Sequence, residues 1–298
     1  MTQLTEARTT GSFGTLVDVV TSGGVLILSG AGLSTESGIP DYRGPTGLAR
    51  RATPMTYQAF TGSAAARRRY WARSYIGWRH IARAAPNDGH RAVAELSRRG
   101  LLTGIITQNV DGLHQAAGPV MGGAGVTELH GSLHRVICLS CGQRTPRTEL
   151  DRRLEAANRG WDAQLATLVS MARGPDGDAV LDDAATESFR VADCSACHGV
   201  LKPDVVFFGE NVPKQRAETC YALVEQSSAL VVLGSSLTVM SGFRYVRHAA
   251  RLQRPIVIVN QGATRGDAYA TATLDAPLGQ ILTGLVTNLP VVRNGVPR

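Results

Sequence analysis

The sequence predicts an α/β fold in which a doubly wound parallel sheet is interrupted by a smaller inserted module. Three observations support this. Apolar runs of strand length alternate with helical segments on both sides of the chain's centre. The run at 25–29 ends in Gly30 and Gly32, the pattern that opens a nucleotide-binding βα unit. Two C-x-x-C pairs lie between the two halves. We therefore expect a Rossmann-like sheet with an inserted cysteine-bearing module and a helical module.

The elements follow from the periodicity in chain order. Helices are expected over 13–21, 44–90, 90–99, 213–227, 241–251 and 277–289, and strands over 25–29, 101–107, 202–209, 229–233 and 255–259. Residues 142–193 are polar and interpreted as an insertion. We expect residues 1–129 and 204–298 to form the nucleotide-binding domain, with a helical module over about 44–90, and residues 130–203 to form the small domain.

Composition excludes some classes of protein. The 298 residues are 43% hydrophobic and contain no uninterrupted apolar run of membrane-spanning length. Neither a secretory nor a transit signal is indicated, so we expect a cytoplasmic protein without membrane partners. The net charge is +7, carried almost wholly by arginine, without a recognisable nucleic-acid motif. A solvated basic surface is the simpler interpretation, and nothing indicates the oligomeric state.

The first glycine turn differs from the full dinucleotide fingerprint. Thr35 stands where the third glycine would be, and no acidic residue follows about twenty positions on to bind a ribose. An ordinary dehydrogenase is therefore disfavoured. The nearby segment with Gly38 and Pro40 predicts a loop folded over a ligand, with Tyr42 and Arg43 available to stack and to pair with phosphate.

Polar residues follow the other predicted strands. The strand at 101–107 ends in Gln108-Asn109-Val110-Asp111, and the strand at 229–233 ends in Gly234-Ser235-Ser236. Open α/β sheets place ligands at the carboxyl ends of their strands. These residues are therefore candidates for ligand binding, although Asn and Asp also cap turns.

The cysteines predict a metal site. Cys138 and Cys141 form one C-x-x-C pair, and Cys194 and Cys197 form the other. In a cytosolic chain two such pairs indicate a four-thiolate zinc site, which has no open position and serves structure. Cys220 falls in a predicted helix and is expected in the core.

Several motifs in register resemble a known family. They are G-A-G-L-S at 30–34, G-I-P-D-Y-R at 38–43, T-Q-N-V-D-G-L-H at 107–114, H-G at 130–131, the C-x-x-C pairs, V-V-F-F-G-E at 205–210, G-S-S at 234–236 and V-N at 259–260. Together they resemble the sirtuins, NAD-dependent protein lysine deacylases. Further segments, including Y-W-A-R at 70–73, look like the class II group that includes mitochondrial sirtuin-4.

The resemblance implies a reaction. In sirtuins the acyl oxygen of a modified lysine attacks the nicotinamide ribose, nicotinamide leaves, and the acyl group ends on ADP-ribose. His130 matches the histidine that acts as general base on a ribose hydroxyl, a role that imidazole suits near neutral pH. Asn109 and Asp111 match the other catalytic positions.

The resemblance also implies binding residues. Cofactor positions are Gly30, Ala31, Gly32, Ser34, Thr35, Asp41, Tyr42, Arg43, Gln108, Asn109, Val110, Asp111, Gly234, Ser235, Ser236, Asn260, Gln261, Gly262 and Leu278. The edges that clamp a substrate peptide as an added strand are Val206, Phe208, Gly209 and Glu210 on one side, and Val239 and Ser241 on the other.

Tyr70 and Arg73 resemble the pair that desuccinylating sirtuins place at the floor of the acyl pocket. Their spacing puts both on one helix face, where they could bind an acyl carboxylate. An amphipathic helix with a packed tyrosine would give the same pattern. The resemblance thus predicts acylated-lysine proteins as substrates, with acidic acyl groups preferred.

Two rival functions stay open at this stage. The same activation of NAD permits mono-ADP-ribosyl transfer to a protein. A basic zinc-containing module for nucleic acid is the alternative of another class, and it would bind DNA in a salt-dependent way.

Overall fold

The computed structural model describes residues 11–42, 54–120, 125–161, 181 and 184–290. Its helices are α1 Phe13–Thr21, α2 Tyr57–Gly62, α3 Ala64–Ile81, α4 Asp88–Arg98, α5 Leu113–Ala116, α6 Arg147–Ala157, α7 Lys214–Gln226, α8 Met240–Arg251 and α9 Leu278–Asn288. Its strands are β1 Val25–Ser29, β2 Leu102–Thr107, β3 Val126–Glu128, β4 Gly131–Cys138, β5 Arg144–Pro146, β6 Leu201–Val205, β7 Ala229–Leu233, β8 Ile256–Val259 and β9 Ala272–Leu274.

Six strands form one parallel sheet in the order β3-β2-β1-β7-β8-β9. The order runs outward in both directions from β1 and β7, so the chain winds twice and the strand order reverses between them. Strands covered on both faces are continuous apolar runs, and all five residues of β1 and of β7 are buried. The predicted doubly wound fold is confirmed.

Two apolar layers cover the faces of this sheet. One layer combines α1, α4 and α9 and includes Leu16, Val93 and Leu282. The other combines α7 and α8 and includes Leu223 and Val246. Alternate strand residues point into each layer, and the helices present apolar stripes at helical spacing. Cys220 is fully buried in the second layer, as predicted.

The inserted segment forms a three-stranded antiparallel sheet in the order β5-β4-β6. Its apolar face packs against α2 and α3, in a core that includes Phe60, Trp71 and Val136. The indole nitrogen of Trp71 donates to the carbonyl of Leu201 at 3.2 Å. The helical module, which we grouped with the nucleotide-binding domain from sequence, therefore shares its core with the small sheet; the predicted domain boundaries themselves stay a prediction.

The structure differs from the expected elements in a few places. The strand expected over 202–209 ends at Val205; Val206 N–H still donates to the carbonyl of His130, next to β4, whereas the Phe208 carbonyl accepts from Tyr57 N–H of α2. The segment after β1 is a 3₁₀ helix, Ala31–Ser37. α5, α6, β3, β4, β5 and β9 were not predicted, and the described part of the helical stretch expected over 44–90 is divided between α2 and α3 and ends at the start of α4. Among the described residues, no helix is both long and apolar enough to cross a bilayer.

Candidate functional site

A cavity of about 1040 Å³ lies at the carboxyl edge of the large sheet. The segments that follow β1, β2, β7 and β8 form its floor, since the carboxyl ends of parallel strands meet at one edge. The segment after β6 and the start of α8 form its outer rim. The cavity is large enough for a dinucleotide together with part of a peptide.

Glycines let the turns after β1 and β7 touch. Gly30 N–H donates to Leu233, and Gly32 N–H donates to Gly234, each at 2.9 Å. A Cβ on Gly32 would lie 2.9 Å from the Cα of Gly234, and Gly234 itself has a φ of 60°. From sequence we interpreted Gly30 and Gly32 as the start of a nucleotide-binding βα unit. In the structure, packing of one turn against the other already requires them.

Asp111 is buried beneath the cavity. Its carboxylate accepts from the Ser34 hydroxyl at 2.7 Å and from the Leu113 N–H at 2.9 Å. Burial raises the pKa of Asp111, and these two donors oppose that shift. Asn109 donates to the carbonyl of Gly30 at 3.0 Å and to Ser34 at 3.1 Å. Asp111 and Asn109 therefore fix Ser34 between the first two strand ends.

His130 lies at the junction of the large sheet and the small sheet. Its Nδ1 is 2.9 Å from the carbonyl oxygen of Gln108, and its Nε2 is 2.7 Å from the Ser241 hydroxyl. A carbonyl only accepts, so Nδ1 carries the proton and Nε2 offers a lone pair toward Ser241. Burial lowers the pKa of His130 to about 4; Arg216 acts in the same direction, against the hydrogen bond to Gln108. Imidazole at this place is neutral and can accept a proton.

Gln108 and Ser235 connect the strand ends on either side of β1. The Gln108 side chain donates to the Ser235 hydroxyl at 2.7 Å. Farther along the edge, the amide of Asn260 donates to the carbonyls of Gln261 and Gly262 at 3.0 and 2.8 Å, which shapes the turn after β8. The residues that line this part of the cavity are small or carry an amide, namely Gly234, Ser235, Ser236, Asn260, Gln261 and Gly262.

Two facing segments form the rim. On one side, Phe208 is 39% exposed, and Glu210 accepts from Phe207 N–H at 2.9 Å and from Lys202 at 3.1 Å. On the other side, Val239 precedes α8, and Met240 in its first turn is 42% exposed. Large apolar side chains exposed on opposite sides of a cavity mouth indicate a place where a ligand covers them.

The predicted acyl-binding pair is separated in the structure. Tyr70 lines the cavity and its ring packs edge-on against Phe60 and Phe207, with centroids at 5.5 and 5.1 Å. Arg73 lies one turn farther along α3, is not among the described residues that line the cavity, and donates to the Leu181 carbonyl at 3.1 Å. The ring of Tyr70 thus meets the cavity while the guanidinium of Arg73 points to the inserted segment.

The four cysteines converge at the end of the small sheet. Their sulfur atoms all lie within 4.8 Å of one another, with Cys138 and Cys197 at 3.5 Å and Cys141 and Cys194 at 3.9 Å. Thiolates at about 2.3 Å from zinc in a tetrahedron are about 3.8 Å apart, so the sulfurs fit a zinc ion. Four thiolate ligands would leave a zinc ion no open position, which is the arrangement of structural zinc sites.

The structure brings almost all predicted site residues to the cavity. Those that line it are Gly30, Ala31, Gly32, Ser34, Thr35, Asp41, Tyr42, Tyr70, Gln108, Asn109, Val110, Asp111, His130, Val206, Phe208, Gly209, Glu210, Gly234, Ser235, Ser236, Val239, Ser241, Asn260, Gln261, Gly262 and Leu278. Arg43 lies outside the described residues. The sequence reasoning missed Glu36 and Arg244, which also line the cavity. Arg244 follows Ser241 at helical spacing, a signal that could have found it.

Comparisons with known proteins agree with this geometry. The family model described as "Sir2 family" matches residues 30–241. The chain is 60% identical to "NAD-dependent protein deacetylase 1" of Streptomyces coelicolor over 92% of its length and 89% of that protein. It is 50% identical to the protein of the same name from Mycobacterium avium, over 92% and 94%. A solved structure described as "Sir2-p53 peptide-NAD+" superposes with a TM-score of 0.72 at 27% identity, covering 93% of this chain and 98% of the other. A second, "Structure of Sir2Tm bound to a propionylated peptide", gives 0.71 at 26% identity, with 93% and 98% covered.

Proposed function

The chain belongs to the Sir2 family, and on that basis we propose that it is an NAD-dependent protein lysine deacetylase. It transfers the acyl group of a modified lysine to ADP-ribose and releases nicotinamide. The observation that carries the proposal is the place of His130: a neutral imidazole, with a lone pair on Nε2, at the wall of a cavity bounded by the glycine turns and by a peptide-sized rim.

The residues present fit NAD. When bound, NAD supplies a labile bond between nicotinamide and ribose, and an ADP-ribose that accepts the acyl group. The turns at 30–35 and 234–236 offer backbone N–H groups and small side chains, which suit phosphates and ribose. Asn109 and Asp111 would hold the nicotinamide end, because both lie at the end of β2 beside His130.

The protein's own part in the chemistry centres on one proton. Gln108 fixes the Nδ1–H tautomer of His130, so Nε2 is the atom that takes a proton from a ribose hydroxyl. The Ser241 hydroxyl donates to that lone pair, so Ser241 has to move away before Nε2 can bind the substrate hydroxyl. The rim segments, with Phe208 and Met240, would hold the peptide and exclude water from the acyl-lysine.

The experiment is a mass-spectrometric assay of the purified protein with an acetyl-lysine peptide and NAD. We expect equimolar deacetylated peptide, free nicotinamide and O-acetyl-ADP-ribose, all lost in His130→Ala. A protein or peptide that carries ADP-ribose, without any deacetylated peptide, would instead identify an ADP-ribosyltransferase. Activity that is undiminished in His130→Ala would overturn the role of the imidazole.

We propose further that the enzyme removes acidic acyl groups from lysine in preference to acetyl groups, as the class II resemblance implies. Support comes from Tyr70, which lines the cavity, and from Arg73 one turn along α3. To bind an acyl carboxylate, Arg73 has to exchange its hydrogen bond to the Leu181 carbonyl. Arg73→Ala should then remove succinyl-lysine activity selectively; equal losses on acetyl and succinyl peptides would contradict this preference. Both the class II assignment and a cytoplasmic location stay predictions.

A further inference from the structure

Arg244 has no function in the scheme above, yet it faces the cavity. It lies in α8, three residues after Ser241 and four after Met240, so the three side chains share one face of the helix. All three line the cavity. Arg244 is half-buried and makes no hydrogen bond or ion pair with any residue in the described part of the chain.

The other charges around the cavity are already engaged. Glu36 accepts from the Gly279 N–H at 3.0 Å, Asp111 accepts from Ser34, and Glu210 accepts from Lys202. Asp41, the fourth carboxylate in the described lining of the cavity, also has a partner. Arg244 is the one arginine or lysine among the described residues that line the cavity. Its charge is thus available to an anionic group that a ligand brings, in a partly desolvated place where such a pair is stronger than in water.

The position of Arg244 favours the peptide over NAD as the source of that anion. The small-residue turns suited to phosphate follow β1 and β7, whereas Arg244 lies within α8, past the rim residue Val239. It also shares its helix face with Met240, which is exposed at the cavity mouth. A side chain next to the acyl-lysine would pass over this face when the peptide lies between the two rim segments.

Resting on the proposed deacetylase function, we propose that Arg244 is a specificity-determining residue that selects protein substrates with an aspartate or glutamate beside the modified lysine. The guanidinium pairs with that carboxylate. A cleft that binds mainly the backbone of a peptide accepts many peptide sequences. A single unpaired cation at the edge of the cleft is therefore the feature that would discriminate among substrates.

The test compares acetyl-lysine peptides that differ only in carrying Glu, Ala or Lys at the flanking positions. The wild type should prefer the Glu peptide, and Arg244→Ala should lower kcat/KM on that peptide about 3- to 10-fold, with little change on the Ala peptide. Arg244→Lys should retain the preference, and Arg244→Glu should reverse it in favour of the Lys peptide. Arg247→Ala is the matched control, because Arg247 is exposed on the same helix and does not line the cavity.

Other results would overturn the inference. One such result is that Arg244→Ala lowers kcat/KM equally on all three peptides. Another is that it raises the KM for NAD when the Ala peptide is the substrate. A third is an effect that depends on whether the acyl group is succinyl or acetyl and not on the flanking residue. If the wild type deacylates no peptide, the proposed function fails by itself; fluorescence-anisotropy binding of the same three peptides to wild type and Arg244→Glu then decides the present inference.

Discussion

The Nε2 atom of His130, the proposed base, lies 2.7 Å from the hydroxyl oxygen of Ser241, a residue of the peptide rim, and is hydrogen-bonded to it. The hydroxyl donates and the imidazole accepts, because Nδ1 already donates to Gln108. The rim and the base are therefore coupled by one hydrogen bond. A ligand that displaces Ser241 frees Nε2.

The acid limb of the pH profile should report this contact. Burial lowers the pKa of His130 to about 4, so the base is neutral throughout the range above pH 5 and kcat/KM should not fall near 6.5 on its account. Ser241→Ala removes a donor to the neutral form, which raises the pKa by about half a unit to one unit. The pH dependence of kcat/KM, measured from pH 4.5 to 8, checks both statements. An acid limb unmoved by Ser241→Ala would contradict the coupling.

Acid should destabilise the protein through a second pair of histidines. His90 and His114 are buried with ring centroids 5.2 Å apart, and burial lowers their pKa values to about 4 and about 3. Each favours the folded state above its unfolded pKa of about 6.5, and this stability is lost as the pH falls toward the folded value. At pH 5 each histidine costs about 2 kcal/mol relative to neutral pH.

Urea unfolding at pH 7 and pH 5 measures this loss. His90→Gln and His114→Gln should each flatten the pH dependence, even where they lower stability at pH 7. His248→Gln serves as the control, because that histidine pairs with Glu225 near the surface. Equal pH dependence in all four proteins would show that the buried pair is not responsible.

Removal of zinc should affect activity as well as stability. The four sulfurs hold the turns at the end of the small sheet, and β6 of that sheet leads directly into the rim segment that begins at Val206. A strong chelator should release one zinc ion per chain and abolish activity, and added zinc should restore it. Metal content and activity of Cys194→Ser are expected to fall together. Cys220→Ala, which changes only the core, should retain its zinc; active, folded protein without metal would refute the site.

The rim should also depend on a buried ion pair. Lys202 has a side chain that is 4% exposed, donates to the carbonyls of Pro203 and Val205, and reaches Glu210 at 3.1 Å. Lys202→Met leaves Glu210 without its cation and should cost about 2 kcal/mol, less than for a fully buried pair because Glu210 is partly exposed. The KM for peptide should rise more than the KM for NAD.

Steady-state kinetics and urea unfolding of Lys202→Met, Glu210→Gln and the double variant check this prediction. The double variant should be closer to wild type than the sum of the single losses implies. Lys214→Met is the control, since Lys214 is 90% exposed. A change confined to the KM for NAD would mean that the pair does not position the peptide rim.

The parts of the fold that the sequence predicted are those where burial decides the residue type. β1 and β7 are uninterrupted apolar runs that end in glycine, and such runs have few alternatives. β9 was missed because its three residues bond along only one side of the sheet, and α6 because it buries only Arg147, Leu150 and Leu154. Periodicity is weak in both.

For the site, motif spacing located the residues at the strand ends but not the direction of long side chains. Tyr70 and Arg73 share a helix face, yet only the tyrosine meets the cavity, because the carbonyl of Leu181 in the inserted segment binds the guanidinium. Likewise the partner of His130, Ser241, is 111 residues away in sequence. Such contacts depend on how the small sheet packs on the large one, which no local pattern encodes.

The core that α2 and α3 share with the small sheet has a consequence for how this protein can diversify. Phe60 and Phe207 are 147 residues apart in the sequence, yet their rings are 5.2 Å apart, and Tyr70 packs against both. Recombination that exchanged residues 131–205 alone between relatives would replace Val136 and Leu201, which belong to the small sheet and share this core with Trp71. The inserted segment and the helices at 57–81 must therefore be inherited as one block.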